Sequence, residues 1–311
     1  MRITQGMLSS NMLRNMSKSY ESMGKYQDQL TTGKKISRPS DDPVVAMQGI
    51  NYRSELTKIG QFQRNIGEVY NWMDSSDAAL DKATKAMQRV RELTVQASND
   101  TNGEQSRESI AKEIEQLAGH LRDIGNTQAN GKYLFNGTDT LTAPMDARQA
   151  TDPATGETGE VRLPVNSTPV TIEVSKGIPL QANVDGTKVF GGGNTDEDGR
   201  QLFDTLQQLA TDLRNPGTHE EELSSYLESI DEHVNTIIDE RADLGARMNR
   251  RDLVEDRLGT QEIIATRVLS NSEDAEMEKV ITNLKTEESV LRAAMGAGAR
   301  IIQPTLMDFL R

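Results

Sequence analysis

The chain has 311 residues, a net charge of −13, 35% hydrophobic and 4% aromatic residues, and no cysteine. So few aromatics exclude a thick globular core, because aromatic side chains supply the largest buried areas. The missing cysteines exclude disulfides and thiolate metal sites, and the acidic balance excludes general nucleic-acid binding.

No stretch is apolar enough for long enough to span a membrane, so no membrane insertion is expected. The N-terminal MRITQGMLSSNM lacks the continuous apolar core of a cleavable export signal, so any export is expected to use another route. Charge is uneven. Residues 1–40 carry seven basic and two acidic side chains, which leaves −18 on the rest. That basic segment has amphipathic spacing rather than a dense basic run, which points to a protein partner.

Residues 3–30 place Ile3, Met7, Met12, Met16, Tyr20, Met23 and Leu30 near one helical face, largely in steps of three and four. Five of the 13 methionines lie in the first 23 residues. Methionine adapts to varied surfaces, and a lone amphipathic helix draws its stability from packing. An assembly helix, mobile in the free monomer, is the expectation here.

Leu30–Met47 ends one helix and begins another. Gly33 suits a left-handed C-cap, and Pro39 fixes φ without donating a hydrogen bond. Asp41 and Asp42 suit capping of the next helix, with Pro43 in its first turn. Gly33-Lys34-Lys35 is not a phosphate loop. The earlier glycine is replaced by Asp28, and Lys35 stands where a Ser or Thr is needed.

Residues 44–98 carry a heptad seam: Ile59, Phe62, Ile66, Val69, Met73, Ser76, Leu80, Ala83, Met87, Val90, Thr94 and Ala97. Ser98–Gly103 reads as a turn. Ile110, Ile114, Leu117, Leu121, Ile124 and Gln128 continue the pattern in an antiparallel neighbour. Helical spacing then stops. Asn130-Gly131 and Asn136-Gly137 flank a hairpin-like Lys132–Phe135. Glu160–Val165, Val170–Val174 and Ile178–Val184 read as strands, with Thr187–Phe190 a further candidate.

Helix is predicted again from Leu202, with Phe203, Leu206, Leu209 and Leu213 on its apolar face. Thr218 and Glu221 have capping-box spacing before a long seam from Leu223 to Ala265. Arg241 and Arg251 fall on that seam, which predicts a register shift there. Leu269–Asp274 reads as a break, with Ser270 and Glu273 as a second capping box. A last helix carries Met277, Val280, Leu284, Leu291, Ala294 and Ile301, and its AAMGAGARII end permits close helix approach. Leu306, Phe309 and Leu310 add apolar residues beyond Pro304. His120, His219 and His233 share no ligand spacing, so no metal, cofactor or catalytic group is expected.

The predicted fold is mainly α: a long antiparallel helical bundle or coiled coil built from both chain ends, with a small β-rich insertion. Three parts are expected. Residues 1–43 plus 272–311 are terminal assembly helices, 44–130 plus 200–271 a helical bundle, and 131–199 an outward β-rich insertion.

Several motifs together resemble the flagellin superfamily. At the N-terminal end they are Met1-Arg2-Ile3-Thr4, Gln29-Leu30-Thr31-Thr32-Gly33-Lys34-Lys35-Ile36, Asp41-Asp42-Pro43 and Asn126-Thr127-Gln128-Ala129-Asn130-Gly131-Lys132. The resemblance spans residues 1–137 and about 235–311. Four runs resemble its hook–filament junction members more than its filament members. They are Arg38–Val44, Tyr133–Thr138, Glu240–Asn249 and Gln303–Leu310.

Such a resemblance implies an extracellular, non-enzymatic subunit of the bacterial flagellum, exported through a type III apparatus. It implies terminal helices that pair in the inner wall of a tube. The implied partners are the first hook-associated protein, flagellin and further copies of the same subunit in a ring. A FlgN-like export chaperone on the C-terminal helix is implied as well. The residues expected at the tube interface are the Ile3–Leu30 and Met277–Ile301 stripes, assisted by Leu306–Leu310. A filament subunit is the first alternative. A secreted helical protein whose β insertion binds or catalyses is the second.

Overall fold

The computed structural model describes residues 5–98, 103–145, 148–151, 158–161, 166–190, 202–215 and 220–302. In chain order the elements are α1 (Gln5–Thr32), α2 (Pro43–Ala97), α3 (Glu104–Gly125), β1 (Gln128–Ala129), β2 (Lys132–Tyr133), β3 (Arg148–Thr151), β4 (Thr158–Val161), β5 (Thr171–Ser175), β6 (Ile178–Gln181), α4 (Gly186–Phe190), α5 (Leu202–Arg214), α6 (Glu220–Glu273) and α7 (Met277–Ile302). The fold is mainly α, as the periodicity predicts. It divides into two compact units, residues 1–59 with 260–311 and residues 60–259.

The second unit holds most of the core. Its part of the predicted α2 seam is buried, from Ile66 through Met73, Leu80 and Met87 to Ala97, apart from the half-buried Phe62. Ser76, Thr84 and Thr94 are tolerated there because each hydroxyl donates to the carbonyl four residues earlier. Helices α3 and α5 pack together through Ile114, Leu121, Leu206, Leu209 and their neighbours.

Helices α2 and α6 run antiparallel in this unit. Tyr70 meets Arg251, Asp77 meets Arg241, and Arg91 meets Asp231, so one series falls as the other rises. No register shift occurs at the two arginines. The buried stripe passes through them in steps of three and four, from Ile237 by Arg241, Leu244, Met248 and Arg251 to Val254 and Leu258. Arg241 reaches Asp77 and Asp81 of α2 at 2.8 Å each, and Arg251 stacks its guanidinium 4.5 Å from the Tyr70 ring centroid. A seam position can hold an arginine when the facing helix supplies carboxylates or an aromatic face.

The β segments pair as three separate antiparallel hairpins, β1–β2, β3–β4 and β5–β6. Asn130 and Gly131 turn the first, with φ of 52° and 75°. Positive φ at both positions is the signature of a two-residue hairpin turn, which Asn-Gly suits. Strand β3 was not predicted. Strand β4 starts at Thr158, earlier than expected, and residues 162–165 lie outside the described residues.

Other sequence expectations are corrected. Thr187–Phe190 is helical, because Asp185 Oδ1 accepts from the Thr187 N–H at 2.9 Å and starts α4. Gln128 belongs to β1, since α3 ends at Gly125. Leu202, Thr205 and Ala210 share the buried face of α5, while Phe203 is only half-buried. The expected break at Leu269–Asp274 comes at its last residue, since helix α6 runs to Glu273 and the chain leaves the helix at Asp274. Ser270 spends its hydroxyl on Asp274 at 2.6 Å rather than capping a new helix. Thr218, most of the Ser98–Gly103 turn and residues 303–311 lie outside the described residues.

Candidate assembly interface

The first unit is built around two turns that zip together. Helix α1 ends at Gly33, whose φ of 68° is the left-handed conformation glycine adopts without cost. Its N–H donates to the Gln29 carbonyl at 2.9 Å. Lys34 then pairs with Asp274 in an antiparallel bridge. The Lys35 N–H donates to the Glu273 carbonyl at 2.6 Å, and the Ala275 N–H to the Gly33 carbonyl at 2.9 Å. Buried Gln29 adds a hydrogen bond from Nε2 to the Lys35 carbonyl at 2.7 Å.

Side chains reinforce the zipper. Lys34 Nζ lies 2.7 Å from Asp274 Oδ1 and 3.5 Å from Glu273 Oε2. The hydrogen bond to Asp274, with the charges of Asp274 and Glu273, holds the Lys34 ammonium above its ordinary range. Asp274 is held below the usual carboxylate range by Lys34 first and Ser270 second. Glu273 is buried, and Arg53 Nη2 reaches its Oε2 at 2.6 Å. The Glu273 carboxylate fills the space where a side chain on Gly49 would stand.

The three residues expected to cap α2 divide the task. Asp42 Oδ1 accepts from the N–H groups of Val44 and Val45 at 3.0 and 3.1 Å, which makes Asp42 the N-cap. Pro43 occupies the first helical position, where no N–H is needed. Asp41 closes the preceding turn instead, accepting from the Ser37 and Arg38 N–H groups at 3.2 and 3.0 Å. Those two bonds hold its carboxyl below the usual range.

The zipper sets α1 and α7 side by side, and they pack antiparallel along their length. Near the far end a side chain on Gly298 would collide with the Met12 thioether. This is the close approach that the small residues of AAMGAGARII permit. Met12, Met16, Met23 and Leu30 are half-buried on α1. Val280 and Leu291 are buried on α7, with Leu284 and Ala294 half-buried.

Met7, Tyr20 and Met277 stand outside this seam and are exposed. Ile3, Leu306, Phe309 and Leu310 lie outside the described residues, as does the side chain of Ile301.

Further apolar residues are exposed that the stripe did not include. They are Leu13 on α1, Val44, Met47 and Ile50 at the start of α2, Ile263 and Ile264 on α6, and Ile281, Val290 and Met295 on α7. Leu13 and Tyr20 sit one heptad apart, roughly 80–100° around α1 from Met12 at 3.6 residues per turn. That spacing was a readable signal for a second face. Arg53 and Gly49 gave no local signal, and Glu273 signalled only a capping box.

The balance defines the site. Among the described residues the first unit buries four apolar side chains, Ile59, Ala265, Val280 and Leu291, and exposes twelve large ones. A unit with so little core of its own and so much apolar surface is suited to being covered. No group of three or more acidic or histidine side chains among the described residues is placed to hold a metal ion. No helix among them is long and apolar enough to cross a membrane.

From residue 3 to residue 140 the chain matches the family model for the bacterial flagellin N-terminal helical region. It is similar to flagellar hook-associated protein 3 of Salmonella typhimurium, with 24% identity over 94% of this chain and 95% of that one. A flagellin of Bacillus subtilis is 24% identical over 96% of this chain and 94% of its own. Among solved structures, the flagellar junction protein FlgL from Legionella pneumophila superposes with a TM-score of 0.56 at 18% identity. That match covers 73% of this chain and 99% of the other, and it shows a shared fold. The N-terminal match and the near full-length similarity to hook-associated protein 3 agree with the motifs at both ends, and residues 3–140 carry the bacterial flagellin N-terminal helical region.

Proposed function

We propose that this chain is a structural adaptor of the bacterial flagellum, placed between the first hook-associated protein and the flagellin filament. The observation that carries the reading is the first unit, which exposes twelve large apolar side chains against four buried ones. Covering such residues contributes about 1.5–3 kcal/mol each when burial is complete. The similarity to hook-associated protein 3 supports the junction position.

In this reading α1 and α7 pair in the inner wall of a tube, and neighbouring copies cover Met7, Tyr20 and Met277 in a ring. Residues 1–43 with 272–311 do the assembling, 44–130 with 200–271 form the supporting bundle, and 131–199 face outward. The subunit leaves the cell through the flagellar export apparatus, with a FlgN-like chaperone holding its C-terminal helix. It performs no catalysis.

A deletion strain tests the adaptor. Hooks should remain intact while flagellin monomers escape into the medium. Normal filaments in that strain would overturn the reading. The filament-subunit reading draws on the similarity to a flagellin along most of the chain. It predicts that the purified chain extends a filament by itself, whereas an adaptor does not.

A further inference from the structure

Nine of the 13 methionines fall in the first unit, although that unit has little core to fill, and the chain has no cysteine to react first. Met7 and Met47 are 60% and 65% exposed, and Met277 and Met295 are exposed as well. Met12, Met16 and Met23 are half-buried along the α1–α7 seam. In the second unit Met73 and Met87 are fully buried. Thioether oxidation follows exposure, so one chain carries both targets and internal controls.

We propose that the methionines of the first unit form an oxidation site that turns its apolar surface polar and blocks assembly of the free subunit. The chemistry needs only a peroxide. The thioether sulfur attacks one peroxide oxygen, the O–O bond breaks, and an S–O bond forms. Sulfur loses two electrons, the peroxide is reduced, and with hydrogen peroxide the other product is water. Each sulfoxide is a polar acceptor where an apolar contact stood. Met12 is the most sensitive position. Its thioether lies where a single carbon on Gly298 would stand, so a sulfoxide there sets a polar group into the α1–α7 seam. The consequence for assembly rests on the adaptor reading, whereas the order of oxidation and the opening of the seam do not.

The test treats the purified full-length chain with hydrogen peroxide and follows each methionine by peptide mass mapping. Met7, Met47, Met277 and Met295 should gain oxygen several-fold faster than Met73 and Met87. Equal rates would overturn the proposal. Amide exchange around Met12 and Gly298 should quicken as Met12 oxidises, and an unchanged seam would also overturn it. The oxidised chain should co-sediment less with hook particles that carry the first hook-associated protein. Methionine sulfoxide reductases should restore binding.

A variant with Met7, Met12, Met47, Met277 and Met295 replaced by leucine should show the same binding before and after peroxide, whatever its starting level. Equal loss of binding by that variant, or full binding by the oxidised native chain, would contradict the proposal. If the untreated native chain does not bind the particles, the adaptor reading falls. The oxidation rates and the exchange data then decide the methionine proposal alone.

Discussion

Glu273 Oε2 lies 2.6 Å from Arg53 Nη2, joining residues 220 positions apart. The same buried carboxylate stands where a Gly49 side chain would be. In an ordinary helix interior Gly→Ala gains about 1 kcal/mol. Here Gly49→Ala should lose stability, because the new carbon displaces a carboxylate that Arg53 and Lys34 hold. Glu273→Ala should cost about 1–2 kcal/mol by unpairing Arg53, which remains largely hydrated. In the Glu273→Ala background Gly49→Ala should recover its usual gain. A double-mutant cycle by denaturant unfolding measures this coupling. Equal gains in both backgrounds would show that the contact is without consequence.

The Lys34–Asp274 pair sets a pH window for the zipper. Asp274 is depressed from its ordinary 3.8, so its contribution is complete above that value and fades as pH falls through the folded-state value. Lys34 is raised from its ordinary 10.5, so its contribution is complete below that value and fades as pH rises through the folded-state value. Both side chains are nearly half exposed, which limits the pair to about 0–1 kcal/mol. Protection of the Lys35 and Ala275 amides, taken relative to the intrinsic exchange rate at each pH, should therefore be greatest between the two limits. Lys34→Met should remove the alkaline limb and weaken the acidic one. An unaltered profile in that variant would refute the assignment.

Asp41 and Asp42 should behave differently despite being adjacent. Asp42→Ala removes the N-cap of α2 and should cost about 1 kcal/mol, while Asp42→Asn should retain most of it. Exchange should quicken at Val44 and Val45. Asp41→Ala should instead quicken exchange at Ser37 and Arg38 and leave the helix start protected. The same exchange pattern from both variants would contradict the division of roles.

How much of this was readable depends on the range of the interaction. The α2 seam, the left-handed Gly33, the Asn130-Gly131 turn and the small-residue end of α7 follow from local chemistry, and spacing exposes them. Ser270 misled because its hydroxyl serves a cap or an intrahelical bond equally well from sequence, and Asp274 decides which. Arg241 and Arg251 misled because a charged residue in a seam looks like a fault until Asp77, Asp81 and Tyr70 are found opposite. The Glu273–Arg53–Gly49 contact was out of reach, since no periodicity links residues so far apart. The second apolar faces of α1 and α7 were legible in part. A single best-fitting stripe drew attention away from Leu13, Ile281 and Met295.

The central claim is that the exposed apolar surface of the first unit becomes covered by neighbouring subunits. The chain has no cysteine, so each introduced thiol is unique. Met7→Cys, Tyr20→Cys, Met277→Cys and Leu141→Cys variants are labelled with a thiol reagent, as free chain and within assembled flagella. All four should label in the free chain. In flagella the first three should be protected, while Leu141→Cys, on a highly exposed loop residue of the second unit, should still react. Equal labelling of Met7→Cys, Tyr20→Cys and Met277→Cys in both states would contradict the account.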